Sequence, residues 1–369
     1  MNKPIKVLVV AGARPNFIKI APLIRCMDLR AAVGASPAID YRLVHTGQHY
    51  DQMLSGIFFT ELGIPQPHYS LGVGSHSQAV QTAKLMEAFE PVCLQERPDW
   101  LVVVGDVNST MACALVASKL GIRIAHVEAG LRSFDRSMAE EINRIVTDSI
   151  ADLLLTPSPD GDENLLREGI SPQRIRHVGN LMIDSLVANL EQARRSSILT
   201  RLGLEHKEFA WVTLHRPSNV DNGDVLRRIM DSLRGVAEQV PVVFAVHPRT
   251  AQRVREFGIR SDDNDALKMV EPVGYHDSLR LTESAAFVLT DSGGLQEEST
   301  FFRTPCLTLR PNTERPVTLT LGSNRLTTPD LLPRDVETAL QQRNGLGVVP
   351  PLWDGKTAPR VVDALVEAM

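Results

Sequence analysis

Short apolar runs alternate with helix-length amphipathic stretches along the whole chain, and this alternation most constrains the fold. The runs have the length of strands and are largely apolar, as expected for strands covered on both faces. Strands separated by helices indicate βαβ units and parallel sheets. The predicted strands are 5–11, 41–46, 101–104, 122–127 and 153–157 in a first sheet, and 210–214, 241–246, 268–270, 286–290 and 305–309 in a second.

The two sets of strands predict two α/β domains, each a doubly wound, Rossmann-like parallel sheet. We place the first domain at residues 1–175 and the second at 176–357, with the junction just after a short strand. Residues 358–369 carry apolar side chains on one helical face and are expected to pack back on the first domain. Ligands bind outside the carboxyl ends of the strands in such sheets, so two facing domains predict a ligand cleft.

The composition narrows the class of protein. Of 369 residues, 43% are hydrophobic and 22% charged, which suits two separate cores and excludes a disordered chain. A net charge of −5 without any Lys/Arg run argues against binding nucleic acid or an anionic membrane. No signal peptide or membrane-length apolar run is evident, and four scattered cysteines suit free thiols. We therefore expect a cytoplasmic enzyme.

The first two strand ends carry polar motifs without a familiar nucleotide fingerprint. The first turn reads G-A-R-P-N and lacks both G-x-G-x-x-G and the Walker A sequence. Arg14 and Lys19 are candidates to bind a phosphate or carboxylate there, the alternative being ordinary exposed cations near a helix start. The second strand ends in H-T-G-Q-H-Y-D, where two histidines four apart could ligate metal. Because no third ligand has suitable spacing, we favour a polar rim loop in which Gln48 and His49 contact substrate.

Three acidic side chains follow the next strands. Asp106 lies at a strand end, and Glu128 ends a strand so buried that its carboxylate requires partners. Glu140 is a third candidate, although Ser137-x-x-Glu140 matches a capping box and Glu140 could instead pair with Arg144. The helix that follows is expected to bury Ile142, Ile145, Val146, Ile150 and Leu153.

The second domain has its own motifs at strand ends. His215 and His247 follow the first two strands, and two histidines at equivalent positions favour a ligand-lining role over a structural one.

An S-G-G turn opens a helix directly after a strand, giving bare N–H groups that suit an anion, with a purely structural turn as the alternative. Glu298 lies one turn into that helix and could accept a pair of hydroxyl groups, and Arg315 adds a cation near the same edge.

Nine of these motifs together resemble the non-hydrolysing UDP-N-acetylglucosamine 2-epimerases. They occur in that family's order and extend over nearly the whole chain. The motifs are G-A-R-P-x-x-I-K-x-A-P, H-T-G-Q-H-Y-D, G-D-x-N-S-T, H-V-E-A-G-L-R-S-F, E-E-I-N-R, T-L-H-R-P-S-N-V-D, H-P-R-T, T-D-S-G-G-L-Q-E-E and N-T-E-R-P.

The resemblance implies a glycosyltransferase-B type fold, a UDP-sugar substrate, no metal or nicotinamide cofactor, and a homodimer. It makes Asp106, Glu128 and Glu140 the catalytic acids, with His215 as an important histidine and Arg144 as a further site residue. It assigns the UDP-sugar to Arg14, Lys19, Arg315, Ser292, Gly293, Gly294 and Glu298, where the S-G-G residues hold the diphosphate and Glu298 the ribose.

The family's chemistry inverts C2 by eliminating UDP to give 2-acetamidoglucal and adding UDP back, and its product supplies surface polysaccharides. Four alternatives stay open from the sequence. One is epimerisation of a modified UDP-sugar such as a diacetamido uronic acid, and another is a hydrolysing epimerase. The others are a glycosyltransferase of the same fold and a UDP-sugar sensor without turnover.

Overall fold

The computed structural model describes residues 3–47, 62–260 and 266–369. The chain divides into two compact units, one formed by Met1–Ser185 with Pro351–Met369 and the other by Leu186–Pro350. Each unit has an α/β architecture with a parallel sheet, so the predicted fold class is confirmed.

The first unit contains a seven-stranded sheet of order β3-β2-β1-β4-β5-β6-β7. Every neighbouring pair is parallel, because a helix or a long connection lies between consecutive strands. Its strands are β1 Ile5–Ala11, β2 Ile39–His45, β3 Tyr69–Ser70, β4 Trp100–Val104, β5 Arg123–Val127, β6 Leu153–Thr156 and β7 Ile175–His177. The helices described along this part of the chain are α1 Arg14–Ala32, α2 Gln78–Glu96, α3 Asn108–Lys119, α4 Ala139–Ile150, α5 Pro159–Arg167 and α6 Leu181–Arg194.

The division between the units lies within α6, after Ser185, ten residues beyond the junction expected at 175. The reason is that β7 belongs to the first sheet, where Thr156 of β6 is in register with His177.

The second unit contains a six-stranded parallel sheet of order β10-β9-β8-β11-β12-β13. Its strands are β8 Ala210–Leu214, β9 Val242–Val246, β10 Leu267–Val270, β11 Phe287–Thr290, β12 Cys306–Leu309 and β13 Asn324–Thr327. Its helices after α6 are α7 Ile198–Leu202, α8 Pro217–Val220, α9 Gly223–Ala237, α10 Pro248–Glu256, α11 Tyr275–Ser284, α12 Gly293–Phe302, α13 Val317–Thr320 and α14 Leu332–Gln341.

The last helix, α15 Thr357–Glu367, returns to the first unit and packs on α1. It buries Val361, Val362 and Leu365. Its first two backbone N–H groups, of Thr357 and Ala358, donate to the carboxylate of Asp184 at 3.0 and 2.7 Å. An acidic side chain at the positive end of a helix is electrostatically favourable, so this contact fixes where the helix begins.

No helix in the described part of the chain combines the length and the apolar character that crossing a membrane requires.

Candidate functional site

The turn between β1 and α1 is closed by Asn16, a residue that the sequence analysis did not single out. Its side-chain oxygen accepts from the N–H groups of Gly12 and Ala13 at 3.3 and 2.9 Å. Its side-chain nitrogen donates to the carbonyl of Val104 at 2.9 Å, which joins the ends of β1 and β4. Lys19, one turn further along α1, thereby lies at the carboxyl edge of the sheet.

Lys19 and Glu128 form a buried ion pair at this edge, with Nζ and Oε2 2.6 Å apart and side-chain exposures of 8% and 4%. Gly105 lies beside the pair with φ +72°, a left-handed conformation that favours glycine, and a Cβ there would only reach ordinary contact with the Lys19 nitrogen at 3.4 Å. Glu128 has φ +68°, a left-handed conformation that is uncommon for a residue with a side chain. Its second oxygen, Oε1, is buried and has no hydrogen-bond partner in the described structure. Strain and an unpartnered buried carboxylate oxygen are features of functional sites.

A second buried hydrogen-bond network, centred on His126 and Asp148, fixes the loops next to Glu128. The His126 ring contacts the carbonyl of Gly105 at 2.8 Å and the carboxylate of Asp148 at 2.6 Å. Asp148 also accepts from the N–H of Gly130 at 3.0 Å and pairs with Arg132 at 2.7 Å. Burial would raise the pKa of Asp148, but His126 and Arg132 hold it below its ordinary value.

Arg144 connects Asp106 to the start of α4. Its guanidinium pairs with Glu141 at 2.7 Å and also with the carboxylate of Asp106, whose side chain is 30% exposed. Glu141 accepts in addition from the N–H groups of Ser133 and Phe134, both at 2.9 Å. Burial would raise the pKa of Glu141, but the hydrogen bonds from Ser133 and Arg144 lower it. The two glutamates of the E-E motif thus differ. Glu141 has a structural role that the sequence analysis missed, whereas Glu140 makes none of these contacts.

Helix α4 buries its polar face, so the expectation that its four apolar residues are buried was wrong. Ile142, Ile145, Val146 and Ile150 are each partly exposed, and only Leu153, in β6, is fully buried as expected. The polar face turns inward because its side chains hold the motifs at the sheet edge. The buried residues of the helix are Glu141, Asn143, Arg144, Thr147 and Asp148.

Glu140 is exposed on the first turn of α4, and both structural alternatives for it were wrong. The N–H of Ser137 donates to Asp135 at 3.0 Å and not to Glu140, so no capping box forms. Arg144 pairs with Glu141 and Asp106 instead of Glu140. Among the described residues no hydrogen bond or ion pair involves the Glu140 carboxylate, which leaves it available to a ligand.

Three predicted site residues are not placed by the structure. Gln48 and His49 lie outside the described residues, and so does the side chain of Arg14. Within the described ranges, no three His, Cys, Asp or Glu side chains are grouped in a way that could hold a metal ion.

Asp291 is the centre of the second unit's cluster, at the carboxyl end of β11. Its fully buried carboxylate accepts from the backbone N–H groups of His215 and Arg216, at 3.0 and 2.8 Å, and from the side chain of Asn219 at 3.0 Å. The Nδ1 atom of His215 lies 3.1 Å from it. Burial would raise the pKa of Asp291, but the contacts with His215, Arg216 and Asn219 hold it below its ordinary value.

His247 lies beside His215, with the ring centres 6.0 Å apart. It also caps α10, since its Nδ1 accepts from the N–H of Arg249 at 3.3 Å. Arg249 pairs with Asp221 at 3.0 Å, which ties the H-P-R-T motif to T-L-H-R-P-S-N-V-D. His247 therefore has a structural role as a helix cap and also lies at the sheet edge beside His215.

The S-G-G turn opens α12 without a side-chain cap, because the Ser292 side chain does not bond the first helical N–H groups. The N–H of Ser292 itself donates to Thr290 at 3.0 Å. Gly293 is required by close packing, since a Cβ there would lie 2.7 Å from an Arg315 nitrogen. With Gly294 next in line, bare N–H groups at the positive helix end form a site suited to an anion.

Arginine side chains surround that turn. Arg315 pairs with Glu297 at 2.7 Å and with Glu314, and Arg310 pairs with Glu314 at 2.8 Å. Burial opposes ionisation of Glu314, yet Arg315 and Arg310 hold its pKa well below the ordinary range. Burial, followed by the charge of Arg310, lowers the pKa of Arg216. The region therefore has cations and helix N–H groups for an anionic ligand.

Glu298 lies in the next turn of α12 and is nearly completely buried. Burial, followed by the negative charge of Glu297, raises the pKa of Glu298 to about 8. Burial disfavours the ionised form of Glu298 in the free protein. Hydrogen bonds donated by hydroxyl groups of a ligand would stabilise that ionised form.

Two parallel-sheet α/β units with polar clusters at the carboxyl ends of their strands define a two-domain protein of the glycosyltransferase-B type. The family model described as UDP-N-acetylglucosamine 2-epimerase matches residues 31–366. The chain belongs to this family, which confirms the resemblance drawn from its motifs.

Two similar proteins are named for different substrates. The UDP-N-acetylglucosamine 2-epimerase of Methanocaldococcus jannaschii is 41% identical over 370 residues, which cover 98% of each chain. The UDP-2,3-diacetamido-2,3-dideoxy-D-glucuronate 2-epimerase of Pseudomonas aeruginosa is 39% identical over 325 residues, covering 87% of this chain and 88% of the relative.

The crystal structure of the Methanocaldococcus jannaschii enzyme in complex with UDP-GlcNAc and UDP is similar to this one throughout. Its TM-score is 0.88 at 41% identity, and the match covers 98% of this chain and 100% of that chain.

Proposed function

We propose that the protein catalyses the reversible C2 epimerisation of UDP-N-acetylglucosamine to UDP-N-acetylmannosamine without hydrolysing the nucleotide sugar. The observation that carries this proposal is Glu128, a buried carboxylate held by Lys19 in a strained conformation with one oxygen unpartnered. Family membership supports it independently.

The proposed reaction has two stages. A carboxylate removes the proton from C2 while the C1–O bond to UDP breaks, which yields 2-acetamidoglucal, UDP and a protonated carboxyl group. UDP then adds back at C1 while a second carboxyl group donates a proton to the other face of C2. Two faces require two acid/base groups, and each contributes about 10²–10⁴-fold to the rate.

Asp106, Glu128 and Glu140 are the proposed catalytic acids, and their surroundings differ. Glu128 is buried against Lys19, Asp106 is partly exposed and paired with Arg144, and Glu140 is exposed and available. Different surroundings allow one group to act as base while another carries a proton. We propose Lys19, Arg144, Arg14, Gln48 and His49 as substrate-binding residues.

The second unit is proposed to hold the nucleotide. Gly293 and Gly294 present backbone N–H groups to the diphosphate and Ser292 its hydroxyl, because the Ser292 N–H already donates to Thr290. Arg315 and the nearby arginines offset the charge of the diphosphate. Glu298 binds the ribose hydroxyls, and His215 and His247 lie at the same sheet edge. Well-aimed donors contribute about 3–4 kcal/mol each to stabilising a developing oxyanion such as the departing diphosphate.

The decisive experiment is proton NMR of the purified protein with UDP-N-acetylglucosamine in D₂O, without added metal or nicotinamide. We expect UDP-N-acetylmannosamine to appear with deuterium at C2. Glu128→Gln should slow this exchange at least about 10²-fold, because it removes the acid/base function while keeping the shape. The matched control is Glu163→Gln on α5, an exposed glutamate that pairs with Arg167, and this variant should exchange at the wild-type rate.

Three results would overturn parts of the proposal. Epimerisation without deuterium at C2 would exclude C2–H cleavage. Irreversible release of UDP with free N-acetylmannosamine would indicate a hydrolysing enzyme. UDP binding without any exchange would be consistent with the fold assignment but would exclude this substrate.

A second substrate is favoured by one observation, the nearly equal identity to the diacetamido-glucuronate epimerase. The same exchange experiment with that UDP-sugar decides between them, since the true substrate has the higher kcat/KM. We further propose that the protein is a cytoplasmic homodimer, and light scattering would test its oligomeric state. We also propose that its product supplies surface polysaccharide synthesis, which analysis of polysaccharides in a deletion strain would test.

A further inference from the structure

His215 and Asp291 form a pair at the end of two adjacent strands. Strands β8 and β11 are neighbours, with Thr213 in register with Thr290, so the residues that follow them meet at one edge. The Nδ1 atom of His215 lies 3.1 Å from an oxygen of the Asp291 carboxylate. The histidine side chain is 46% exposed, whereas the aspartate side chain is fully buried.

The short distance between His215 Nδ1 and the carboxylate indicates which imidazole nitrogen carries the proton. An ionised carboxylate only accepts hydrogen bonds, so the nitrogen facing it must be protonated. Asp291 is kept ionised by the donors around it, among them the backbone N–H of Arg216 at 2.8 Å and the side chain of Asn219 at 3.0 Å. The neutral His215 ring therefore has Nδ1–H, and Nε2 is the nitrogen that Asp291 does not engage.

The same aspartate precedes the S-G-G turn directly in the chain. Its own carbonyl accepts from the Arg216 side chain at 2.9 Å, so the backbone entering the turn is held from both sides. Through Asp291, His215 contacts the segment that is proposed to bind the diphosphate. A substitution of Asp291 is therefore expected to change the orientation and protonation of the His215 ring.

We infer that Asp291 is a positioning residue that holds His215 with Nδ1 protonated and presents Nε2 to the diphosphate bound at the S-G-G turn. This inference rests on the proposed function. When the C1–O bond breaks, negative charge develops on a diphosphate oxygen. We expect the ring to take a proton from solvent at Nε2 when the substrate binds, so that Nε2–H donates a hydrogen bond to that oxygen as the bond breaks. The carboxylate of Asp291 stabilises the positive ring in that state.

The first test measures the tautomer and needs no turnover. Long-range ¹H–¹⁵N correlation of ¹⁵N-histidine-labelled protein is recorded at a pH where the ring is neutral, and His215 is identified by its absence in His215→Gln. We expect Nδ1 to be protonated in the wild-type protein. An Nε2-protonated ring in the wild type overturns the inference, whether or not the protein is an epimerase.

The second test uses Asp291→Asn, whose amide group can donate to Nδ1 and so favour the opposite tautomer. We expect the ring to change to Nε2–H and kcat to fall by about 10²-fold or more, with a much smaller change in KM. Asn219→Ala is the matched control, because it removes another hydrogen bond to the same carboxylate without touching the histidine. Its tautomer should match the wild type.

A double variant separates positioning from a merely structural role. Asp291→Asn combined with His215→Gln should be no slower than His215→Gln alone, because the aspartate acts through the histidine. Multiplied losses, together with a lowered Tm in both single variants, would overturn the inference.

Discussion

At the scale of single residues, the pKa values of two buried glutamates of the second unit are shifted in opposite directions. Glu314 lies between Arg310 and Arg315, and its pKa is well below the ordinary value. Glu298 has Glu297 as its charged neighbour, and its pKa is raised to about 8. Residue type and burial are the same, so the neighbouring charge decides which carboxyl group is an anion at neutral pH.

Glu298→Gln is expected to stabilise the free protein in a pH-dependent way. A folded-state pKa raised to about 8 means that the stability contributed by this group is fully present below its unfolded pKa and is lost as the pH rises through about 8. A neutral glutamine avoids that loss. The Tm of the variant should therefore exceed that of the wild type clearly at pH 9 and hardly at pH 5.

Thermal unfolding at both pH values, with and without UDP, checks this expectation. Glu163→Gln, an exposed glutamate, should show no such difference. An equal change in Tm at both pH values would show that Glu298 is an ordinary carboxylate. UDP should raise the Tm of the variant less than that of the wild type, since the proposed ribose contact is weakened.

Residue types and strand-end positions were enough to select Asp106, Glu128, His215 and Glu298 as candidates, whereas Arg144 was selected through the family resemblance. The sequence did not reveal that Glu128 is left-handed, because its φ is set by the loop that ends at Gly130. It also gave no sign that Asp291 binds His215. An aspartate directly precedes the S-G-G turn in the sequence, but its partner lies 76 residues away in the chain.

At the scale of elements, the helices depart from simple amphipathic patterns wherever they support the candidate site. The apolar side chains of α4 predicted a conventional buried face, and the structure places the polar side chains inside. Periodicity correctly found the helix but not its orientation, because the inward side chains are satisfied by loops that no local pattern reveals. The S-G-G opening of α12 was found from local sequence because glycines directly after a strand mark the start of a helix with bare N–H groups, whereas the contact of Gly293 with Arg315 was not visible there.

Gly293→Ala is expected to weaken UDP binding by about tenfold or more. The added methyl group would lie 2.7 Å from an Arg315 nitrogen, and Arg315 cannot move freely because Glu297 and Glu314 hold it. Calorimetric titration with UDP measures the effect. Gly235→Ala, in the last turn of α9 with open space around it, is the matched control.

The control should bind UDP as the wild type does and gain about 0.5–1 kcal/mol of stability, since alanine favours a helix. Unchanged UDP affinity in Gly293→Ala would show that the turn is structural and does not bind the nucleotide.

At the scale of the whole molecule, the first unit is built from two separate stretches of the chain. Residues Pro351–Met369 complete a unit that otherwise ends at Ser185. The strand-helix alternation predicted both sheets, since it depends on composition and spacing alone. The exact division did not follow from it, because β7 is only three residues long and its membership is decided by pairing with β6.

Leu365→Ala is expected to lower the unfolding free energy by about 2–5 kcal/mol, because Leu365 is fully buried and the change leaves a cavity. Val366→Ala on the same helix should cost clearly less, since Val366 is only partly buried. Urea unfolding followed by circular dichroism compares the two. Equal small losses would show that α15 adds little to the first unit.

The return of α15 to α1 also determines the order in which the protein can be completed during its synthesis. A ribosome makes the chain from its N-terminus, so the seven-stranded sheet emerges first but lacks its last helix. The second unit, which is one continuous stretch, is fully available before that helix leaves the ribosome. The unit that is begun first is therefore the one that is finished last.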